Sequence, residues 1–219
     1  MKSPKQYARH SEIRDMKLTR ATSRIVQADI LNGISRAMCF QSSRGGVITT
    51  MDGIAHEIGT WDMMIAHPPC TYLSNVCTRG FSLKATDAEK VVERWKNRAY
   101  GAVFFMNFVL TSIPKVCVEN PVGFMNTAYR KPDQIIHPYM FAESTEDKEN
   151  YVTKRTCLWL KGLPKLKTND LPVPNNREIF GVTSSGKTLD WTATRTTDRA
   201  RTRSKTFTGV AKAMADQWG

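Results

Sequence analysis

No run of 18 apolar residues occurs in the sequence, so no segment reads as a membrane-spanning helix. No signal-peptide pattern opens it, and cysteine is scarce: Cys39, Cys70, Cys77, Cys117 and Cys157 make five in 219 residues. An odd count in a chain of this length argues against the disulfide framework of a small secreted domain. A reducing cytoplasm is the expected compartment. His67, Cys70 and Cys77 match no common zinc spacing and no second cysteine pair accompanies them, so no metal is expected. Glycine is paired only at Gly45-Gly46, just before an expected strand from Val47 to Thr50. Internal repeats and low-complexity linkers are absent as well. Acidic residues are outnumbered, 20 against 32 basic ones, and the net charge of +12 suits a polyanionic partner better than a small neutral metabolite.

What is present fits one globular domain. The hydrophobic fraction of 41% can furnish a core at this length. The most informative stretch is WDMMIAHPPCTYLSN, residues 61 to 75. Trp61 to Ala66 reads as a buried strand, and Pro68-Pro69 must end it because proline cannot donate to a ladder. Cys70 therefore follows the carboxyl end of a strand, the edge where open α/β sheets collect ligands and reactive groups. A thiol held on a stiff turn there is a candidate nucleophile.

A second apolar strand, KVCVENP at 115 to 121, ends in Glu119-Asn120-Pro121. Between the two, Thr86 and Glu89 have capping-box spacing. Val91, Val92, Trp95, Ala99, Ala102, Val103, Met106 and Leu110 then recur at helical intervals. Strand, helix and strand predict a βαβ unit with parallel strands, which brings Cys70 and Glu119 to one rim. The same residues would also suit a turn cysteine and a strand-end glutamate with no shared task. Cys117 and Cys157 lie in apolar runs and are expected as packed core thiols. Residues 163 to 188 read as loops, and GVAKAMADQW is expected as a terminal helix packed through Val210, Ala213, Met214 and Trp218.

PPC followed by ENP resembles the catalytic pair of the DNA cytosine-5 methyltransferases. AHPPCTYLSN, VENPVG, KRTCLWLKGLP and RSKTFTGVAKAMADQWG, in that order, resemble more specifically a compact, phage-type group of these proteins over roughly residues 47 to 219. The resemblance implies an α/β fold: a single methyltransferase-like (Rossmann-like) domain with a mostly parallel sheet over 46–219, preceded by a divergent basic segment at 1–45. It implies Cys70 as nucleophile, Glu119 as the group that contacts and protonates the base, and Arg155 in the arginine-bearing motif beside the site. Pro69, Gly209 in the closing motif, and Asp52 would face the donor S-adenosylmethionine, with Asp29 in IVQADI a rival for the acidic contact. The setting would be the cytoplasm of a bacterium or of a phage-infected host. One departure accompanies these matches: the strand followed by a Phe-x-Gly-x-Gly turn that opens the family and cradles the donor is not evident in residues 1 to 60.

The chemistry accounts for the residue types. Carbon-5 of cytosine attacks a methyl donor only after a thiolate adds to carbon-6 and the ring nitrogen opposite gains a proton. Cysteine is intrinsically nucleophilic, and neighbouring cations, here Arg155 and the adjacent Lys154, would favour its thiolate and contact phosphate or base. A carboxyl raised by burial would be able to donate the proton. DNA is the expected partner. Arg195, Arg199, Arg201, Arg203 and Lys205, interleaved with Thr and Ser, are candidate phosphate contacts or else a solvated loop. Residues 142 to 150, AESTEDKEN, are acidic and expected to face away from DNA. Two other readings fit the same residues: another group transfer at pyrimidine carbon-5, or a non-catalytic DNA-binding relative acting as a decoy against restriction.

Overall fold

The computed structural model describes residues 25–28, 44–49, 55–186, 188–189 and 206–219. The described residues form seven strands and four α-helices. The strands are β1 (Ile25–Ala28), β2 (Arg44–Thr49), β3 (Ala55–Thr60), β4 (Met63–Ala66), β5 (Lys115–Pro121), β6 (Gln134–Ile136) and β7 (Thr156–Lys161). The helices are α1 (Ala88–Val109), α2 (Met125–Ala128), α3 (Asn176–Phe180) and α4 (Thr208–Trp218), with 3-10 turns at Asn75–Phe81 and Pro138–Phe141.

A five-stranded sheet has the order β1-β4-β5-β7-β6, and β2 and β3 pair separately as an antiparallel ribbon. β1, β4 and β5 are parallel neighbours, while β7 runs antiparallel to both β5 and β6. β6 therefore points the same way as β5. The fold is mixed α/β with a partly parallel sheet. β1, within the segment 1–45, forms one edge of that sheet. β2 begins at Arg44, so Gly45-Gly46 lies inside the strand and does not precede it.

Helices cover both faces, and alternation along each strand decides which residue meets which layer. Met63 and Ile65 of β4, with Cys117 and Leu158, pack against Val210, Met214 and Trp218 of α4. Met64 and Ala66, with Val116, Val118 and Trp159, pack against Phe104, Phe105 and Phe108 of α1. Each Met, Ile, Leu, Val and Phe side chain among them contributes roughly 1.5–3 kcal/mol when fully buried. Cys117 and Cys157 are fully buried, one in each layer, and Trp218 donates its indole N–H to the Pro164 carbonyl at 3.0 Å.

Two local expectations need correcting. The cap of α1 is Asp87, not Thr86: its carboxylate accepts the Glu89 N–H at 2.9 Å. The helix also turns a different face inward. Val92, Trp95, Ala99, Val103 and Leu110 are exposed, Leu110 by 73%, whereas Val91, Arg98, Phe104, Phe105 and Phe108 are buried. Apolar residues occupy more than half the circumference of α1, and the three phenylalanines carry the larger area. Phe104 and Phe108 meet edge to face at 4.9 Å, and Phe105 meets Trp159 at 5.0 Å. In the expected loop at 163 to 188, the one-turn helix α3 interrupts the irregular chain.

Candidate active site

Register places the first pair of functional groups. β4 and β5 are aligned with Ala66 beside Val118, so the next residues, His67 and Glu119, are neighbours at the carboxyl ends of parallel strands. Neighbouring residues at one register position project to one face. His67 Nδ1 lies 2.8 Å from Glu119 Oε2, and each side chain is 19% exposed.

The reversed strand β7 delivers the cation. Pro121 at the end of β5 pairs with Thr156 at the start of β7, so the residues leading into β7 reach the same rim. Alternation puts Lys154 and Thr156 on one side of the chain and Arg155 on the other. Lys154 and Thr156 line a cleft with His67 and Glu119, closed by Ile136, Pro138, Thr206, Phe207 and Val210. Arg155 is exposed outside it and acts electrostatically on His137 and Cys157. The Lys154 ammonium is 5.4 Å above the Phe207 ring. Gly209 is in the first turn of α4, between the cleft-lining Phe207 and Val210. Its N–H donates to Asn150 Oδ1 at 2.9 Å.

Cys70 ends the His67-Pro68-Pro69 loop after β4, and both Pro69 and Cys70 are exposed. The Cys70 carbonyl accepts the N–H groups of Leu73 and Ser74 at 3.0 and 2.9 Å, closing a turn that fixes the thiol. Buried Asn120 donates to the Pro68 carbonyl at 2.8 Å, so the Asn of ENP holds the loop that carries PPC. The Phe124 N–H reaches the Leu73 carbonyl at 2.7 Å and the Asn75 N–H reaches that of Val122 at 3.1 Å. Ser74 and Gly123 form a bridge between the two loops. Arg98 braces this assembly from α1. It donates to the Tyr72 carbonyl at 2.8 Å, and its guanidinium stacks 3.4 Å from the Phe81 centroid and 5.0 Å from that of Phe124.

Charges at the rim act on one another. Burial alone would raise the Glu119 carboxyl, but the hydrogen bond and charge of His67, with help from Lys154, outweigh it and hold the group below its usual range. The expectation of a carboxyl raised by burial is therefore corrected. Although the surface of Cys70 is exposed, crowding by surrounding protein pushes its thiol up. Its own backbone hydrogen bond and Lys154 pull it back, and the Glu119 charge adds to the rise. Loss of solvent lowers Lys154, opposed by Glu119 and Cys70. Thiol, carboxylate and ammonium thus form one coupled set.

The structure sets Cys70 and Glu119 near one sheet edge, where the Glu119 charge acts on the thiol. It adds His67, Asn120, Gly123 and Arg98, whose roles depend on register and packing, and places Lys154, the neighbour of Arg155, in the cleft. Asp52, Asp29, Arg195, Arg199, Arg201, Arg203 and Lys205 lie outside the described residues. Among the described residues Glu119 is the one acidic side chain that lines the cleft, and it is held by His67. No cluster of three or more His, Cys, Asp or Glu residues that could hold a metal ion occurs among them, and no helix is long and apolar enough to cross a membrane. No family model, curated protein or solved structure matches this chain.

Proposed function

We propose that this protein modifies a pyrimidine base in DNA through covalent addition of Cys70 to carbon-6, and that the reaction is methylation of cytosine at carbon-5. The reading rests on the convergence of the Cys70 turn, Glu119 and Lys154 on one sheet edge. It draws further support from the order of the PPC, ENP and KRTC segments and from the net charge of +12. Lys154 favours the thiolate, and Glu119 faces the ring. The sheet, with β1, β4, β5 and β6 in one direction and β7 reversed, suits a methyltransferase-like domain. The base must leave the duplex at a cost of a few kcal/mol. The cleft beside Glu119 is small, about 30 Å³, so a ring can enter only if its lining moves apart.

The test is calorimetric titration of S-adenosylmethionine and S-adenosylhomocysteine, with and without DNA. Binding is expected, and Asp52→Ala should weaken it by about 1–3 kcal/mol, the cost of stranding a polar partner. No binding in either condition, with Cys70 still able to form an adduct, would point to another donor. Neither binding nor adduct would leave the decoy reading.

Duplex binding should weaken steeply with salt as condensed counterions are released. Neutralising Arg199, Arg201 and Arg203 together should flatten the slope of log affinity against log salt by about two to three units if each touches a phosphate. An unchanged slope would return that segment to a solvated loop.

A further inference from the structure

We infer that His67 is the proton partner of Glu119: it supplies, through the carboxyl group, the proton that the pyrimidine ring nitrogen gains when Cys70 adds to carbon-6. The inference rests on the base-addition reading above and assigns a task to a residue which that reading leaves idle.

The geometry carries it. His67 Nδ1 is 2.8 Å from Glu119 Oε2, an arrangement fixed by the parallel register that pairs Ala66 with Val118. Both side chains line the same cleft, and Oε2 is the Glu119 oxygen that meets His67. Of the groups packed around the pair, Lys154 approaches from the lead-in to β7, Cys70 from the loop after β4, and Cys117 from β5 itself. Residues 134–138 and the start of α4 contribute only the uncharged Ile136, Pro138, Thr206, Phe207 and Val210 to the cleft. His67 is thus the proton-bearing group in hydrogen-bond contact with the carboxylate.

A carboxylate stabilised by imidazolium and ammonium is by itself a weak proton source. The pair, however, holds one transferable proton, which resides on His67 in the ionic form and on Glu119 in the neutral form. As Cys70 Sγ bonds to carbon-6, the C5=C6 pair shifts to form C4=C5, and the C4=N3 pair moves onto N3. N3 takes the proton from Glu119, leaving neutral His67 and carboxylate Glu119. Elimination of the thiolate runs these steps backwards and returns the proton to the pair. While the proton is on Glu119, the negative charge that raises the Cys70 thiol is absent, so attack and protonation assist each other. His67 reaches the base only through Glu119 and is a positioning residue in that sense.

The experiment follows tritium release from carbon-5 of cytosine in DNA, which the enamine formed by addition permits without a methyl donor. Wild-type release should decline on the alkaline side of the pH profile as His67 loses its proton. His67→Gln can still donate a hydrogen bond but has no proton to give. It should slow release at neutral pH by about 100-fold or more, the range of general acid catalysis, and should remove that alkaline limb. Glu119→Gln should abolish release. A His67→Gln protein with wild-type rate and profile would overturn the inference and leave the base-addition reading standing. A wild type showing neither tritium release nor an adduct with 5-fluorocytosine DNA would overturn both. In case His67→Gln folds poorly, the imidazole titration of His67 can be followed by NMR in the wild type and in Glu119→Gln. The midpoint should fall when the carboxylate is removed, and an unmoved midpoint would overturn the pairing.

Discussion

DNA whose cytosines are replaced by 5-fluorocytosine should become covalently attached to the wild-type chain through Cys70 when S-adenosylmethionine is supplied. Fluorine at carbon-5 cannot leave as a proton does, so the thioether formed by attack on carbon-6 persists. Cys70→Ala should reduce the adduct to nothing detectable by denaturing electrophoresis or mass spectrometry. Cys77→Ala should retain it, since that thiol is turned toward the Ser74 carbonyl at 2.7 Å and packs near Arg98. An adduct that survives Cys70→Ala would remove this residue from the chemistry. The pH dependence has a definite sign. Crowding holds the Cys70 thiol above its ordinary range, so the thiolate fraction, and with it the trapping rate, should rise with pH until His67 gives up the proton that addition requires. Lys154→Met removes the cation that opposes this rise and should slow trapping most at low pH.

The parts of this architecture that were legible in the sequence are those set by local chemistry. Two prolines end β4, helical periodicity marks α1, and the parallel strands of a βαβ unit carry Cys70 and Glu119 to one edge. The inner face of α1 was not legible, because the apolar residues of that helix fill more than half of its circumference. Tertiary packing then chose Phe104, Phe105 and Phe108 over Val92 and Val103. The partnership of His67 with Glu119 required the exact pairing of Ala66 with Val118, which no composition or motif specifies. The choice of Lys154 over Arg155 required the phase of β7, whose alternation turns one of two adjacent cations into the cleft. Arg98 would pass in sequence as a solvated helix residue. Burial between Phe81 and Phe124 makes it a brace for the loops that carry the reactive groups.

Gly123→Ala should cost about 2–4 kcal/mol of stability and slow adduct formation by about 100-fold. A Cβ at this position would stand 1.9 Å from the Leu73 carbonyl oxygen and 2.9 Å from Ser74 Cα. Those are backbone atoms, so no rotamer change can relieve the overlap and the two loops must separate. Separation strains the Phe124-to-Leu73 and Asn75-to-Val122 hydrogen bonds, which fix the turn behind Cys70 relative to the end of β5. A displacement near 1 Å between nucleophile and carboxyl group is enough for a rate loss of that order. Gly101→Ala supplies the contrast. Its Cβ would meet only Leu73 side-chain carbons at 3.5 Å or more, an ordinary contact, in the interior of α1. Alanine there should leave trapping intact and stabilise the fold by up to about 1 kcal/mol through helix propensity. Urea unfolding of both variants measures the difference directly. If Gly123→Ala unfolds within about 0.5 kcal/mol of the wild type, a change typical of an unconstrained surface site, the two loops are not clamped through this glycine.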